Sequence, residues 1–261
     1  MVAMVTAMMP QRSEVLARSG FVHGFTTRIG GVSVAPFDAA DFAVLRDAGA
    51  LAENQARLAT ALGFDARRLY QAQQVHGDVV FIPSHEDAAL GRFAGSLARY
   101  PEADALVATL AGDTVGVRVA DCVPVLVGDT STGHVAAIHA GWKGVVAGVV
   151  ARAIERLGTD GAELVAAIGP CIGACCFEVS REVADKIAAA SGGACIVSTH
   201  EPAKAMVDLR IAVATQLRLL GIATQHVEQV GGCTRCEAGT YYSFRRDGDH
   251  AGRLLAVITA K

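Results

Sequence analysis

Short apolar runs rich in Val, Ile and Ala recur along this chain, with stretches of helical period between and after them. The runs predict strands at 21–26, 79–82, 104–109, 115–120, 123–127, 135–139, 164–168, 222–227 and 254–258. Leu51, Leu58 and Leu62 share one face of a predicted helix that stops at Gly63. Val145, Val149, Ala153, Ile154 and Leu157 repeat at helical spacing up to Gly158. Asp208 is placed to cap a helix carrying Leu209, Val213, Leu217 and Leu220, closed by Gly221. Ser180 is placed to start another, reaching about residue 190. Several strands follow one another directly between 104 and 139, which argues against a doubly wound parallel sheet. Mixed or antiparallel sheets with helices packed outside are expected instead. No linker, charge run or repeat divides the chain, so a single domain over 1–261 is expected, with 1–12 as a loosely attached start.

Composition narrows the class. Hydrophobic residues make up 52% and charged residues 19%, which predicts a large buried core and excludes disorder. A net charge of −3 gives no general attraction to nucleic acid or acidic membranes. No apolar run reaches the roughly 18 residues that a membrane span needs. The apolar start from Met1 to Met9 has no Lys or Arg before it, unlike a signal peptide. Seven Cys is an odd number in a chain too large to need disulfide staples, so reduced thiols and a cytoplasmic location are expected.

Candidate chemistry concentrates at the ends of the apolar runs. Gln74-Val75-His76-Gly77 is a turn carrying an imidazole. In Ala120-Asp121-Cys122-Val123-Pro124 the proline interrupts a strand pattern beside a thiol. His139-Ala140-Gly141-Trp142-Lys143-Gly144 reads as strand end, glycine turn and helix start, a place where free backbone N–H groups face an anion. Two imidazoles and a thiolate make a three-ligand set with a fourth position open to water or substrate. The same groups equally suit a metal-free Cys nucleophile with a His base. An isolated His or Cys would sooner be a packed core residue; here the flanking turns favour function.

Three further segments are more ambiguous. Thr26-Thr27-Arg28-Ile29-Gly30-Gly31 and Tyr241-Tyr242-Ser243-Phe244-Arg245-Arg246-Asp247 offer guanidiniums suited to phosphate or carboxylate, or are plain surface turns. Cys171, Cys175 and Cys176 with the later Cys233-Thr234-Arg235-Cys236 raise a structural four-cysteine zinc site. Only the second cluster has the C-x-x-C spacing, so small buried thiols under a glycine-rich loop are the expectation.

Taken in order, these motifs, with Gly169-Pro170-Cys171-Ile172, resemble the multicopper polyphenol oxidase or laccase-domain family. Its members are also described as purine nucleoside phosphorylases with adenosine deaminase activity and as a peptidoglycan editing factor. The resemblance runs from Phe25 to Arg253. It implies an α+β fold: a four-layer α/β/β/α sandwich with mixed sheets, like the catalytic domain of cytotoxic necrotizing factors. It also implies that His76, Cys122 and His139 are both the catalytic set and the ligands of zinc or copper. Arg28, Ser243, Arg245 and Arg246 become the expected substrate and phosphate contacts. The implied activity is metal-dependent phosphorolysis of adenosine, inosine or methylthioadenosine and adenosine deamination, with a small nucleoside and phosphate as partners. The rivals are a cysteine hydrolase acting on misincorporated peptidoglycan precursors and a copper-dependent polyphenol oxidase. A laccase also needs a cluster of His-bound coppers, and no His-x-His pair occurs among the remaining histidines. After Pro36 the chain departs from the family pattern, with Ala39-Ala40-Asp41-Phe42 in place of an expected Ser-Leu-Asn stretch.

Overall fold

In the computed structural model of the chain, residues 7–44, 46–84, 86–87, 100–199 and 201–261 are described. Among the described residues, thirteen strands are distributed over three sheets. They are β1 (His23–Phe25), β2 (Leu69–Tyr70), β3 (Val80–Phe81), β4 (Ala105–Ala108), β5 (Thr114–Val119), β6 (Val123–Asp129) and β7 (Val135–Ala140), then β8 (Leu164–Ile168), β9 (Glu178–Ser180), β10 (Ile196–Ser198), β11 (Lys204–Val207), β12 (Val227–Gln229) and β13 (Leu254–Thr259). The largest sheet has six strands in the order β12-β8-β6-β7-β4-β3. Its inner pairs are antiparallel and its two outermost pairs parallel. A second sheet, β1-β13-β5-β2, has four strands and a single parallel pair, β2 with β5. A small antiparallel sheet, β10-β11-β9, has three. The expected mixed α+β class with several mixed sheets is the one observed.

Side-chain alternation explains the stacking. On β6, Val123, Val125 and Val127 point to one face, while Leu126 points to the other. The first face packs against helices Val149–Leu157, Arg181–Ala190 and Leu209–Leu219. The second meets Val115, Val117, Ala256 and Ile258 of the four-stranded sheet. That sheet's outer residues Leu255 and Val257 lie against Leu51, Leu58 and Leu62 of helix Ala48–Leu62. Helix, sheet, sheet and helix therefore follow in layers. Strands covered on both faces favour apolar residues pointing both ways, so 123–127 of β6 and 135–138 of β7 read as continuous runs and not as alternation.

The helix signals hold at their caps. Asp208 accepts from the N–H groups of Arg210 and Ile211, Ser180 from that of Val183, and Gly63 closes its helix at φ 85°. The helix expected through 145–157 is instead broken by Gly148, at φ 89°, into Trp142–Ala147 and Val149–Leu157. The first of these starts before Gly144, with Gly141 as its cap. The strand expected at 222–227 is a 3-10 turn, Thr224–His226, followed by β12. Only Ile222 is buried there, so no run of apolar contacts holds an earlier strand start. β9 and β11 lie outside every predicted run because their outward positions are exposed and polar, and β10 because it is only three residues long with Val197 turned to solvent. Of the expected loose start, residues 1–6 lie outside the described residues, whereas Gln11 pairs with Phe25 through two backbone hydrogen bonds. Among the described residues no helix is long and apolar enough to cross a membrane.

The turn between β6 and β7 is closed by a buried carboxylate. Asp129 accepts from Ser131 N at 2.8 Å, Ser131 Oγ at 2.7 Å and Thr132 Oγ1 at 2.6 Å, and also from Thr159 Oγ1. Burial opposes its ionisation, but these donors outweigh burial and hold the carboxyl well below its ordinary value. Asp129→Asn is expected to cost about 1–3 kcal/mol of stability at pH 7. Because the folded-state pKa is depressed, the wild type's advantage is full above the unfolded value of about 3.9 and declines as pH falls below it. Urea unfolding of both proteins between pH 7 and pH 3 measures this; a gap that stays constant or widens in acid contradicts it.

Candidate active site

The register of the six-stranded sheet brings two of the three donors together. Pro124 of β6 lies opposite His139 of β7, and Val123 opposite Ala140, so Cys122, immediately before β6, stands at the end of β7 that carries His139. The third donor, His76, is carried in by the loop after β2. That loop is tied to β5 by the Gln74 side chain, whose Nε2 donates to Arg118 O and whose Oε1 accepts from Arg118 N, at 2.7 and 2.8 Å. The amide thus behaves as a surrogate strand residue.

Asp104, fully buried just before β4, organises the rest. Its carboxylate accepts from the backbone N–H groups of Val75, His76 and Gly77 at 3.2, 2.9 and 2.6 Å. It also lies 2.8 Å from His139 Nδ1, while its own carbonyl accepts from the His139 N–H at 2.7 Å. With Nδ1 on the Asp104 carboxylate, the other ring nitrogen, Nε2, is the one turned towards Cys122. Burial works against the charge on Asp104, but the His139 and backbone donors prevail and keep its carboxyl below the usual range.

Strain marks the same loops. His76 at φ 63° and Asp121 at φ 89° occupy the left-handed region, which non-glycine residues seldom adopt. Asp121 is held there because its carboxylate accepts from Thr234 Oγ1 and Arg245 N, both at 2.6 Å. These bonds engage the charge of a carboxylate that neighbours the Cys122 thiol in sequence. Gly141 is required by space: a Cβ there would lie 3.1 Å from both Cys122 Sγ and His76 Cδ2.

The donor atoms of His76, Cys122 and His139 lie within 4.8 Å of one another, with Cys122 Sγ 3.9 Å from His76 Nε2. The two imidazole rings meet edge to face at 4.9 Å. Burial opposes ionisation of Cys122, yet the charge and hydrogen bonds of His139, aided by His76, bring its pKa down to about 6. Burial likewise opposes the His139 cation, and the Cys122 and Asp104 charges raise it to about 9. Two nitrogen donors, a thiolate and a carboxylate behind one imidazole fit a divalent ion with three protein ligands.

The trio opens onto a cavity of about 530 Å³. Arg118, Arg245 and Arg253 bring positive charge to its wall, and Phe177 and Phe244 bring aromatic surface. Of the four residues expected to contact substrate, Arg245 borders this cavity and stands 5.4 Å over the Phe177 ring. The other three are placed differently. Arg28 donates to Asp38 O and Ala238 O and lies over Tyr242. Ser243 is buried and caps the short helix Phe244–Asp247. Arg246 binds Asp247 and the carbonyls of Thr234 and Tyr241. Sequence reasoning passes over Arg118 and Arg253. A guanidinium inside the apolar run of β5 is the available signal for Arg118, which also donates to Gln71 and Ala72 at 3.1 and 2.7 Å.

Comparison with known proteins shows the fold and the family. A purine nucleoside phosphorylase of Streptomyces coelicolor is 38% identical over 257 residues, covering 96% of this chain and 99% of the relative. The crystal structure of YlmD from Geobacillus stearothermophilus superposes with a TM-score of 0.86 at 31% identity, covering 95% of this chain and 94% of that one. That of YfiH from Bacillus licheniformis gives the same TM-score at 29% identity, covering 98% and 97%. The family profile described as multi-copper polyphenol oxidoreductase laccase matches residues 22–261, and the chain belongs to that family.

Proposed function

We propose that this chain is a metal-dependent purine nucleoside enzyme, cleaving adenosine, inosine or methylthioadenosine with phosphate and deaminating adenosine. The observation that carries the reading is the convergence of two His and one Cys donor at the wall of a cavity that also presents three guanidiniums and two phenyl rings. The curated relatives named purine nucleoside phosphorylase support the same substrate class. Phe177 and Phe244 offer faces on which a purine stacks. Arg245, with Arg118 and Arg253, supplies fork-shaped donors for phosphate and for the charge that redistributes as the glycosidic bond opens. Arg28, Ser243 and Arg246 fix the loops around Arg245 in this reading. His76, Cys122 and His139 hold the ion, zinc by preference and copper as the alternative. A divalent ion held by these three residues would supply Lewis acidity to a bound substrate or water.

A second reading rests on one specific observation. A thiolate of pKa about 6 paired with an imidazolium of pKa about 9 is also the resting state of a cysteine hydrolase. Acting on a peptidoglycan amide, Cys122 would attack the carbonyl carbon while His139 returns the proton to the leaving amine. Polyphenol oxidation has less support. Among the described residues the second group of clustered ligands contains only cysteines, with no His set for further coppers.

Zinc-loaded protein incubated with adenosine and inorganic phosphate is expected to release adenine with ribose 1-phosphate, and inosine. Absence of all these products in metal-replete protein defeats the nucleoside reading. Asp104→Asn is expected to lower metal affinity or turnover by about 10–100-fold, because the carboxylate sets the His139 tautomer. Calorimetric zinc titration beside the activity assay measures it. In metal-stripped protein, iodoacetamide labelling of Cys122, followed by peptide mass, is expected to rise through pH about 6. Thiolate predominates above its pKa, so the rate is low in acid and reaches its plateau by neutrality. An inflection near the ordinary thiol value of about 8.5 contradicts the ion pair.

A further inference from the structure

A second cluster of soft ligands lies outside the cavity just described. Cys175 and Cys176 follow the glycine turn after β8, and Cys233 and Cys236 occupy a C-x-x-C loop about sixty positions later. All four sulfurs lie within 4.8 Å of one another. Cys236 Sγ is 3.6 Å from Cys175 Sγ and 3.3 Å from Cys176 Sγ. The expectation of small buried thiols holds for Cys171 but not here, because Cys175 and Cys236 are exposed and the other two half-buried. All four are free thiols.

We propose that Cys175, Cys176, Cys233 and Cys236 form a structural zinc site that is separate from the His-Cys-His set. Four thiolates at about 2.3 Å from a tetrahedral zinc stand about 3.8 Å apart, close to the spacings found here. The surroundings are those of a metal–thiolate centre. The Gly173 N–H donates to Cys233 Sγ at 3.2 Å, the Cys236 backbone N–H points to the same sulfur, and Arg235 Nη1 lies 3.5 Å from Cys176 Sγ. Four thiolates leave a net negative charge around a dication, and these donors offset it. Gly173 lets the loops approach: a Cβ there would stand 3.3 Å from Cys175 Sγ and 3.5 Å from Cys233 Sγ. The loops are already joined by backbone pairing of Cys171 with Cys233 and by Thr234 N donating to Cys171 O.

The site's position gives it a role. Thr234, inside the C-x-x-C loop, donates to Asp121, and Arg246 donates to the carbonyls of Thr234 and Arg235. Ile172 and Phe177 flank the first pair of cysteines and border the cavity. A zinc clip here fixes that wall from behind, whichever reaction the cavity hosts.

Metal analysis of protein purified with zinc tests the proposal without any activity assay. The wild type is expected to hold two equivalents per chain. Cys122→Ala should hold one, and Cys233→Ser combined with Cys236→Ser should hold one. Equal zinc in the wild type and the double variant overturns the proposal. Should the double variant fail to fold, Cys122→Ala still decides, since it leaves all four thiols intact. Cobalt added to its zinc-free form should give the intense visible bands of a tetrahedral tetrathiolate, and no such bands means no site. In zinc-loaded Cys122→Ala the four thiols should resist maleimide until a chelator is added. Immediate labelling, or a mass short of hydrogens from disulfide formation, overturns it as well.

Discussion

A buried carboxylate has to find donors, and Asp104 finds four of them in places that build the site. Without them its charge would be expelled by neutralisation or unfolding, since an uncompensated buried ion costs several kcal/mol. Three donors are consecutive backbone N–H groups of residues 75–77, which converge on one point only because His76 takes a left-handed conformation. The fourth is His139 Nδ1. One group therefore fixes the loop carrying the first imidazole and the ring orientation of the second. Each is held relative to the same two oxygens, so the spacing between the imidazoles follows from one residue.

Cys122 reaches the same point by a different route, through register. The β6–β7 pairing places the start of its strand beside His139, and Asp121 turns the chain there with its carboxylate engaged by Thr234 and Arg245. The loop at 233–247 therefore supports the thiol from behind while Arg245 faces the cavity. Layering makes this rigid. Because β6 and β7 are buried on both faces, a shift in their register would move every apolar side chain to the wrong layer.

Much of this is legible in the residues. Continuous apolar runs mark the doubly covered strands, Asp208 and Ser180 mark their helices, and His76, Cys122 and His139 stand out because each sits where an apolar run gives way to a turn. What is hidden has a common physical character. Asp104 reads only as the first residue of a strand, since a carboxylate's backbone donors lie in another segment and leave no spacing signal. Arg118 reads as a blemish in a Val run for the same reason. Gly148 reads as an ordinary member of one helix because helical period continues across it, and only its positive φ breaks the pattern. The four-cysteine cluster is obscured because adjacent cysteines do not match a C-x-x-C pair, yet a turn at Gly173 brings both sulfurs towards the second loop.

The charge state of the trio explains why a thiol nucleophile and a metal ligand look alike here. A metal ligand must be a thiolate and a neutral imidazole, whereas a nucleophile–base pair rests as thiolate and imidazolium. Between about pH 6 and about pH 9 the metal-free pair already holds its thiolate, and the surplus proton sits on His139. Loading a divalent ion therefore removes a proton from His139 and leaves Cys122 as it was. Asp104 serves both states, pairing with the imidazolium in one and fixing the Nδ1–H tautomer in the other. On the two proposed readings the geometry is common, and the charge states they would need differ by one proton on the His139 ring.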